Sequence, residues 1–451
     1  MVDDEEARGL LLPDDVLAAI LRRLSPWDLA ACRCVCKQWR DVVNGNGMLL
    51  PRSLAGLVLS HGNIRYARLF ARPGVDHGDQ CMPGGAVLDC CNGLLLLDGY
   101  WVRNPATGAS ASVPEPPYAS PRVEGMGCLI DQDAFLAFDP AASPHYEVFL
   151  IPPIPCIGNS VVLAPAMLRL EWPPSPFVLS VFSSRTGAWE ERAFGRQGEA
   201  AGTVADMQQD TRDFLDLYRH AEYWQGILYV HCQTNYLMRI SPSDSTYRVI
   251  KPPVDVNQEY LLGKSEKGIY YALLEDDCFR LRVWILDDCS CDQIEWRLRH
   301  DSGQGLAFPT PNSDHGNWVF APLYSDDESS DDDESEEEYE DEEQVEEEPE
   351  WDSDDDSIIP TTNDMVEQSS AFTQMLAFHP YKEIVFFGRS SRGLAYHLSS
   401  SKLEDLGEVF PTKWYHIQTY IYLRSCFPYT PCWMGELPRS FQSIQDQPTS
   451  G

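Results

Sequence analysis

From Leu57 to Leu398 the chain repeats one kind of unit: an apolar run of four to six residues, a tight turn of Gly, Pro, Asn or Asp, and a second run. Leu57-Val58-Leu59 is followed by Tyr66 to Phe70, and Leu94 to Leu97 by Trp101-Val102-Arg103. Phe135 to Phe138 leads to Tyr146 to Ile151, and Phe177 to Phe182 to a turn closed by Trp189. Gly226 to Val230, Tyr236 to Ile240 and Tyr247 to Ile250 form a further group, as do Gly268 to Ala272, Leu281 to Leu286 and Ile294 to Leu298. Met375 to Phe378, Ile384 to Phe387 and Gly393 to Leu398 repeat the pattern once more. Runs this short, rich in β-branched and aromatic residues and bounded by turn formers, are strands. Groups of them spaced about 40 to 50 residues apart have the period of four-stranded propeller blades. The expectation is a mainly β chain, a β-propeller of six to eight blades, with a stacked β-sandwich as the alternative. No WD dipeptide series and no leucine-rich consensus marks the repeat.

The first fifty residues have a helical period instead. Val16, Leu17, Ile20, Leu21 and Leu24 lay a stripe along a helix starting near Pro13-Asp14, whose Asp14 and Asp15 suit the positive end of the helix dipole. Ser25-Pro26-Trp27-Asp28 combines an N-cap, a proline at the first helical position and an acidic residue three on, so a second helix should run to about Cys32. Val35, Cys36, Trp39, Val42 and Val43 make a third stripe, stopped by Asn44-Gly45-Asn46-Gly47. Three short helices cannot bury that much apolar surface among themselves, so the reading predicts a protein partner.

Leu12-Pro13-Asp14, Ile20-Leu21, Leu24, Asp28-Leu29, Arg33, Val35-Cys36-Lys37 and Trp39-Arg40 follow the order and spacing of the F-box pattern. The segment resembles that family, whose members dock onto the Skp-type adaptor of a cullin ubiquitin ligase. The resemblance implies that Leu12, Pro13, Leu17, Ile20, Leu21, Leu24, Leu29, Val35, Cys36 and Trp39 supply the adaptor-binding surface and the core behind it. The β region resembles the F-box-associated, kelch-like propellers common in plant F-box proteins, through Asn104-Pro105-Ala106-Thr107-Gly108, Leu136-Ala137-Phe138-Asp139-Pro140 and Ser183 to Trp189. The implied role is that of a non-catalytic substrate-recognition subunit, with an unnamed protein target held by the β domain. The alternatives are an adaptor-bound scaffold outside ubiquitin transfer and an enzyme using the propeller channel.

The net charge of −36 is concentrated: Ser325 to Asp356 holds 22 of the 70 acidic residues and no Lys or Arg, leaving 34 basic against 48 acidic residues elsewhere. This tract cannot bury enough apolar surface to offset its ordering entropy and is expected to be a disordered insertion. Ser325, Ser330, Ser335 and Ser353 are each followed by acidic residues and are candidate phosphosites. The absence of clustered cations argues against nucleic-acid or anionic-membrane partners. Fourteen cysteines without an N-x-[ST] sequon or an apolar leader suit a reduced compartment, cytoplasm or nucleus.

Cys32, Cys34 and Cys36 alternate rather than pair, Cys289-x-Cys291 lacks zinc-knuckle spacing, and His220, His231, His300, His315 and His379 are scattered, so no metal or cofactor is expected. Trp224, Tyr229, Tyr236, Arg282, Trp284 and Trp296 are read as blade core or a recognition face. The expected layout is a disordered 1–9, an F-box over 10–47, a propeller over 54–430 interrupted by 324–370, and a disordered tail over 435–451.

Overall fold

A computed structural model describes residues 12–24, 26–50, 53–61, 67–73, 86–116, 133–152, 164–208, 221–232, 236–254, 260–275, 278–288, 294–303, 305–308, 318–320, 373–389, 391–409 and 423–433. Ser325, Ser330, Ser335, Ser353, the acidic tract and the Ser25 cap lie outside them.

Among the described residues the strands form a ring of six four-stranded antiparallel blades. Blade one is Val87–Cys91, Leu94–Leu97, Trp101–Arg103 and Ser110–Ser112, written from the axis outward. Blade two is Asp133–Ala137, Glu147–Ile151, Phe177–Ser183 and Ala188–Gln197; blade three is Ala221–Trp224, Ile227–Cys232, Tyr236–Ser241 and Thr246–Ile250. Blade four is Tyr260–Ser265, Gly268–Glu275, Arg280–Asp287 and Glu295–Asp301; blade five is Thr373–Phe378, Ile384–Arg389, Arg392–His397 and Lys402–Glu408. Blade six closes the ring with strands from three parts of the chain: Leu423–Tyr429 innermost, then Gly56–His61, Arg68–Ala71 and Val319–Phe320. The inner strands neighbour one another in this order all the way round, and the strand of blade six returns to that of blade one.

Each of the six seams between blades has its own apolar cluster, because alternate residues of a strand point to opposite faces. Leu57, Leu59 and Phe70 face blade five, whereas Val58 and Leu69 face blade one. Tyr270, Ala272 and Leu274 face blade five, while Tyr271 and Leu273 face blade three. The other two clusters join blades one to two and two to three. Strands buried on both faces and a core divided into six seams exclude the two-layer sandwich. Blades two and three are also joined edge to edge by a parallel pairing of Gly195–Gln197 with Thr246–Arg248.

The motifs that carried the sequence reading have local roles. In the Asn-Pro-x-Thr-Gly turn, Asn104 is buried, its Oδ1 accepts the Ala106 N–H (3.1 Å), and Gly108 takes φ +66°. Trp189 donates its indole N–H to the Pro114 carbonyl (2.8 Å), tying blade two to the proline-rich exit of blade one. Val319–Phe320 is the outer strand of blade six, and the chain re-enters at the inner strand of blade five.

The N-terminal helices are α1 (Asp14–Leu21), α2 (Pro26–Cys32) and α3 (Lys37–Gly45). Two expectations need correction. Val35 and Cys36 are not part of the third helix: Cys36 is its extended N-cap (φ −160°, ψ 172°), and Val35 lies in the preceding turn. The bundle is also less dependent on an outside partner than its size suggests. Its core of Leu17, Ala18, Leu21, Leu29, Val42, Val43 and Leu49 is completed by Ala106 and Trp433 from the propeller.

Candidate adaptor surface and the propeller axis

Helix α1 has two apolar edges about 100° apart. Leu17 and Leu21, four residues apart, are 1% and 0% exposed and fill the bundle core. Val16 and Ile20, one position earlier, are 41% and 47% exposed. Leu12 (45%) precedes them, and Val35 (62%) stands in the turn between α2 and α3. Polar bonds hold this frame: the Gln38 side-chain amide donates to the Leu12 carbonyl (2.9 Å) and to Asp14 Oδ1 (2.8 Å), and Arg22 donates to Asn46 Oδ1 (3.0 Å). The Asn46 amide caps α3 at the Val42 carbonyl (2.8 Å).

The ten residues assigned to the adaptor surface therefore separate. Leu17, Leu21 and Leu29 lie in the interior, so they support the surface from behind; Leu24 and Trp39 are half-buried against the same core. Leu12, Pro13, Ile20, Val35 and Cys36 are exposed. Val16 belongs with the exposed set, and its place on the helical stripe was the signal for it. Burial, and next the charge of Asp28, hold the Cys32 thiol above its ordinary pKa, the opposite of what a thiolate ligand needs.

At the propeller axis, three charged side chains converge from different inner strands. Asp89 of blade one accepts the backbone N–H of Leu136 (2.7 Å) and of Cys90 (2.8 Å), and burial raises its carboxyl to about 7. Lys264 of blade four donates to Asn92 Oδ1 (3.0 Å) and lies 3.6 Å from Glu222 of blade three. Burial works against its charge, yet Glu222 holds it above its ordinary pKa. The space beside them is a cavity of about 30 Å³ lined by Cys90, Asn92, Glu222, Lys264, Phe378 and Thr430 among others, room for water but not for an organic substrate. Among the described residues no group of three or more His, Cys, Asp or Glu side chains is placed to hold a metal.

The aromatic residues weighed as a recognition face are seam residues. Tyr229 and Trp284 are buried between blades three and four, with Trp224 and Trp296 packed against them; Tyr236 is buried between blades two and three. Arg282 lies over the Trp284 ring (5.3 Å) and pairs with Glu275 (2.5 Å). His231 is buried with its ring 4.0 Å from that of Tyr260, and His300 bonds the Tyr396 hydroxyl (3.1 Å). His220, His315, Cys289 and Cys291 lie outside the described residues.

A family model described as F-box-like matches residues 10–49, the span of the three helices and the turn beyond them. The N-terminal bundle is an F-box-like domain. F-box domains generally bind Skp-type adaptors and are generally not catalytic. No protein with a curated description matches the chain. A solved structure, the WD40 domain of SCAP from fission yeast, aligns at 11% identity over 79% of this chain and 74% of its own, with a TM-score of 0.19. That score is too low to argue from, and the propeller assignment rests on strand order and seams. Within the F-box, sequence reasoning did not find Ala106 and Trp433, which complete its core from the propeller. Asn104-Pro105-Ala106 was conspicuous as a turn, but nothing near Trp433 signals its role. Among the described residues no helix is long and apolar enough to cross a membrane.

Proposed function

We propose that this chain is the substrate-recognition subunit of a Skp–cullin–F-box ubiquitin ligase, of the type with an F-box-associated propeller that is common in plants. The observation that carries the reading is an F-box whose core is filled, with Ala106 and Trp433 of the propeller, and which still presents Leu12, Val16, Ile20 and Val35 to solvent. A helix edge of that kind is where a partner helix gains apolar burial, at roughly 25 cal/mol per Å² covered. The adaptor links the F-box to a cullin, and the propeller holds a target protein beside the ubiquitin-loaded conjugating enzyme. The chain itself supplies proximity, and the chemistry belongs to its partners. The complex acts in cytoplasm or nucleus.

Co-purification tests this. The parent chain is expected to recover a Skp-type adaptor and, through it, a cullin. A Val16→Asp/Ile20→Asp variant should recover at least about tenfold less, because a buried unpaired carboxylate costs several kcal/mol. Equal recovery would overturn the reading. A cullin-containing complex that transfers no ubiquitin to any bound protein would favour the scaffold alternative.

A further inference from the structure

The F-box is made from helices of eight, seven and nine residues, each too short to be stable by itself. Its core is finished by a residue hundreds of positions away. Trp433 is 8% exposed and packs with Leu17, Leu21, Val43 and Leu49. It follows by four residues the strand Leu423–Tyr429, which closes the propeller by pairing with Gly56–His61.

Blade one clamps the intervening segment from two sides. The Asn104 side-chain amide donates to the Cys432 carbonyl (2.8 Å), while its own turn carries Ala106 into the F-box core. Gly93, at φ +89°, presses so closely on the segment that a Cβ there would lie 2.5 Å from the Thr430 carbonyl and 2.6 Å from the Cys432 Cβ. Trp433 therefore reaches the F-box only along a path laid down by blades one and six together. In a chain whose sixth blade has not closed, the strand leading to Trp433 lacks its pairing with Gly56–His61, and the segment keeps only its contacts with blade one to bring Trp433 beside Leu17 and Val43.

We propose that closure of the propeller licenses the F-box: Trp433 is a latch that orders the three helices only once blade six is complete, so that only folded receptors capture the adaptor. The adaptor half of this rests on the function proposed above. The ordering half does not. The F-box helices are synthesised before the segment that completes them, and an unfinished receptor is thereby kept out of the ligase.

The test is hydrogen exchange on the full chain, comparing parent, Trp433→Ala and Trp433→Phe, with capture of a purified Skp-type adaptor measured in parallel. In Trp433→Ala, amides of residues 14–45 are expected to exchange about 100-fold faster, while those of blade four keep parental rates. Adaptor capture should fall at least about tenfold, and Trp433→Phe should restore most of both. Parental exchange in the helices of Trp433→Ala would overturn the proposal. So would faster exchange with unchanged adaptor capture. Should Trp433→Ala also loosen blade four, the milder Trp433→Leu is judged by the same criterion, F-box amides faster than parent with blade four unchanged. If the parent captures no adaptor at all, the functional reading fails, and the exchange comparison still decides whether Trp433 orders the bundle.

Discussion

Blades four and six contain the same four antiparallel strands but are assembled differently. Blade four is one run of chain, Tyr260 to Asp301, in which each strand pairs with the next through a short connection. Blade six joins residues 56–71, 319–320 and 423–429, so two of its three pairings bring together segments far apart in sequence. Local hairpins give blade four its order before any ring forms. Blade six has a local pairing only between Gly56–His61 and Arg68–Ala71, and its outer strand is held by rings rather than turns: Phe70 lies 5.4 Å from Trp318 and 5.5 Å from Phe320, and Arg68 stacks 4.7 Å over Phe320. A closed propeller thus concentrates the entropic cost of closure in one blade.

Removing the ring at the centre of that blade should have the largest effect. Phe70→Ala is expected to cost about 4 kcal/mol. It should also speed exchange across blades five, six and one together, since no local turn keeps the three segments of blade six in place. Tyr271→Ala in blade four removes a side chain of similar size that is equally buried, and its loosening should stay within blades three and four. Chemical denaturation with site-resolved exchange checks both, and an equal spread in the two variants would break the contrast.

The same contrast explains what was legible in the sequence. Blades two to five are contiguous or nearly so, and their hairpins were readable from alternation and turn residues such as Thr186-Gly187 and Asp139-Pro140. In blade six only the pair at Leu57–Leu59 and Tyr66–Phe70 was readable; its inner and outer strands were not placed with that pair, because a two-residue strand such as Val319-Phe320 has no period and its partner lies about 250 residues away. In the F-box, the stripe on α1 was legible. Its division into a core edge, Leu17 and Leu21, and an outer edge, Val16 and Ile20, was not, because both edges are apolar and only packing tells them apart. The alternation of Val35 and Cys36 with the α3 stripe misled for a related reason: helical spacing continued across a turn that is not helical.

The axis provides the next test. Blade four is tied to blades one and three through Lys264, by its bonds to Asn92 and Glu222. Lys264→Ala leaves Glu222 enclosed without its cation and is expected to cost about 3 kcal/mol; Lys264→Met with Glu222→Leu should recover most of it. Recovery measured by denaturation would show that the contiguous blade needs the tie only to compensate its own buried charge.

Acid should act on the other side of the ring. His61 lies on blade six, and His379 follows the inner strand of blade five, where its Nδ1 accepts the N–H groups of Tyr381 (3.0 Å) and Lys382 (3.1 Å). Burial lowers His61 to about 4, and burial with the charges of Lys382 and His397 lowers His379 to about 3. The unfolded chain, with histidines titrating near 6.5, then binds more protons below that pH than the native chain does. The contribution of the two histidines is therefore constant above about pH 6.5 and falls as the pH drops toward the native values, at about 1.4 kcal/mol per unit for each, while Asp89, whose buried carboxyl is raised to about 7, contributes with the opposite sign. By pH 5 the His379 contribution amounts to about 2 kcal/mol. His379→Asn keeps an acceptor for the turn and cannot titrate, so its stability should fall less steeply between pH 6.5 and 5 than that of the parent. Identical slopes would remove His379 from the account.

The smallest expected effect on stability concerns the outer edge of α1. Like blade six, the F-box is completed by residues distant in sequence, and every residue on its inner edge is packed against something. Ile20 is packed against little: at 47% exposed, its side chain has much less to lose on truncation than Leu21 at 0%. Ile20→Ala should leave the unfolding free energy within about 0.5 kcal/mol of the parent, whereas Leu21→Ala should cost about 3 kcal/mol. The functional order is different. On the proposed function both variants should weaken adaptor capture, Ile20→Ala by removing part of the proposed adaptor surface and Leu21→Ala by loosening the bundle that presents it. Exchange rates of the α3 amides separate the two routes, staying parental in Ile20→Ala and rising in Leu21→Ala. An Ile20→Ala variant that lost stability as Leu21→Ala does would place Ile20 in the core and leave α1 with a single working edge.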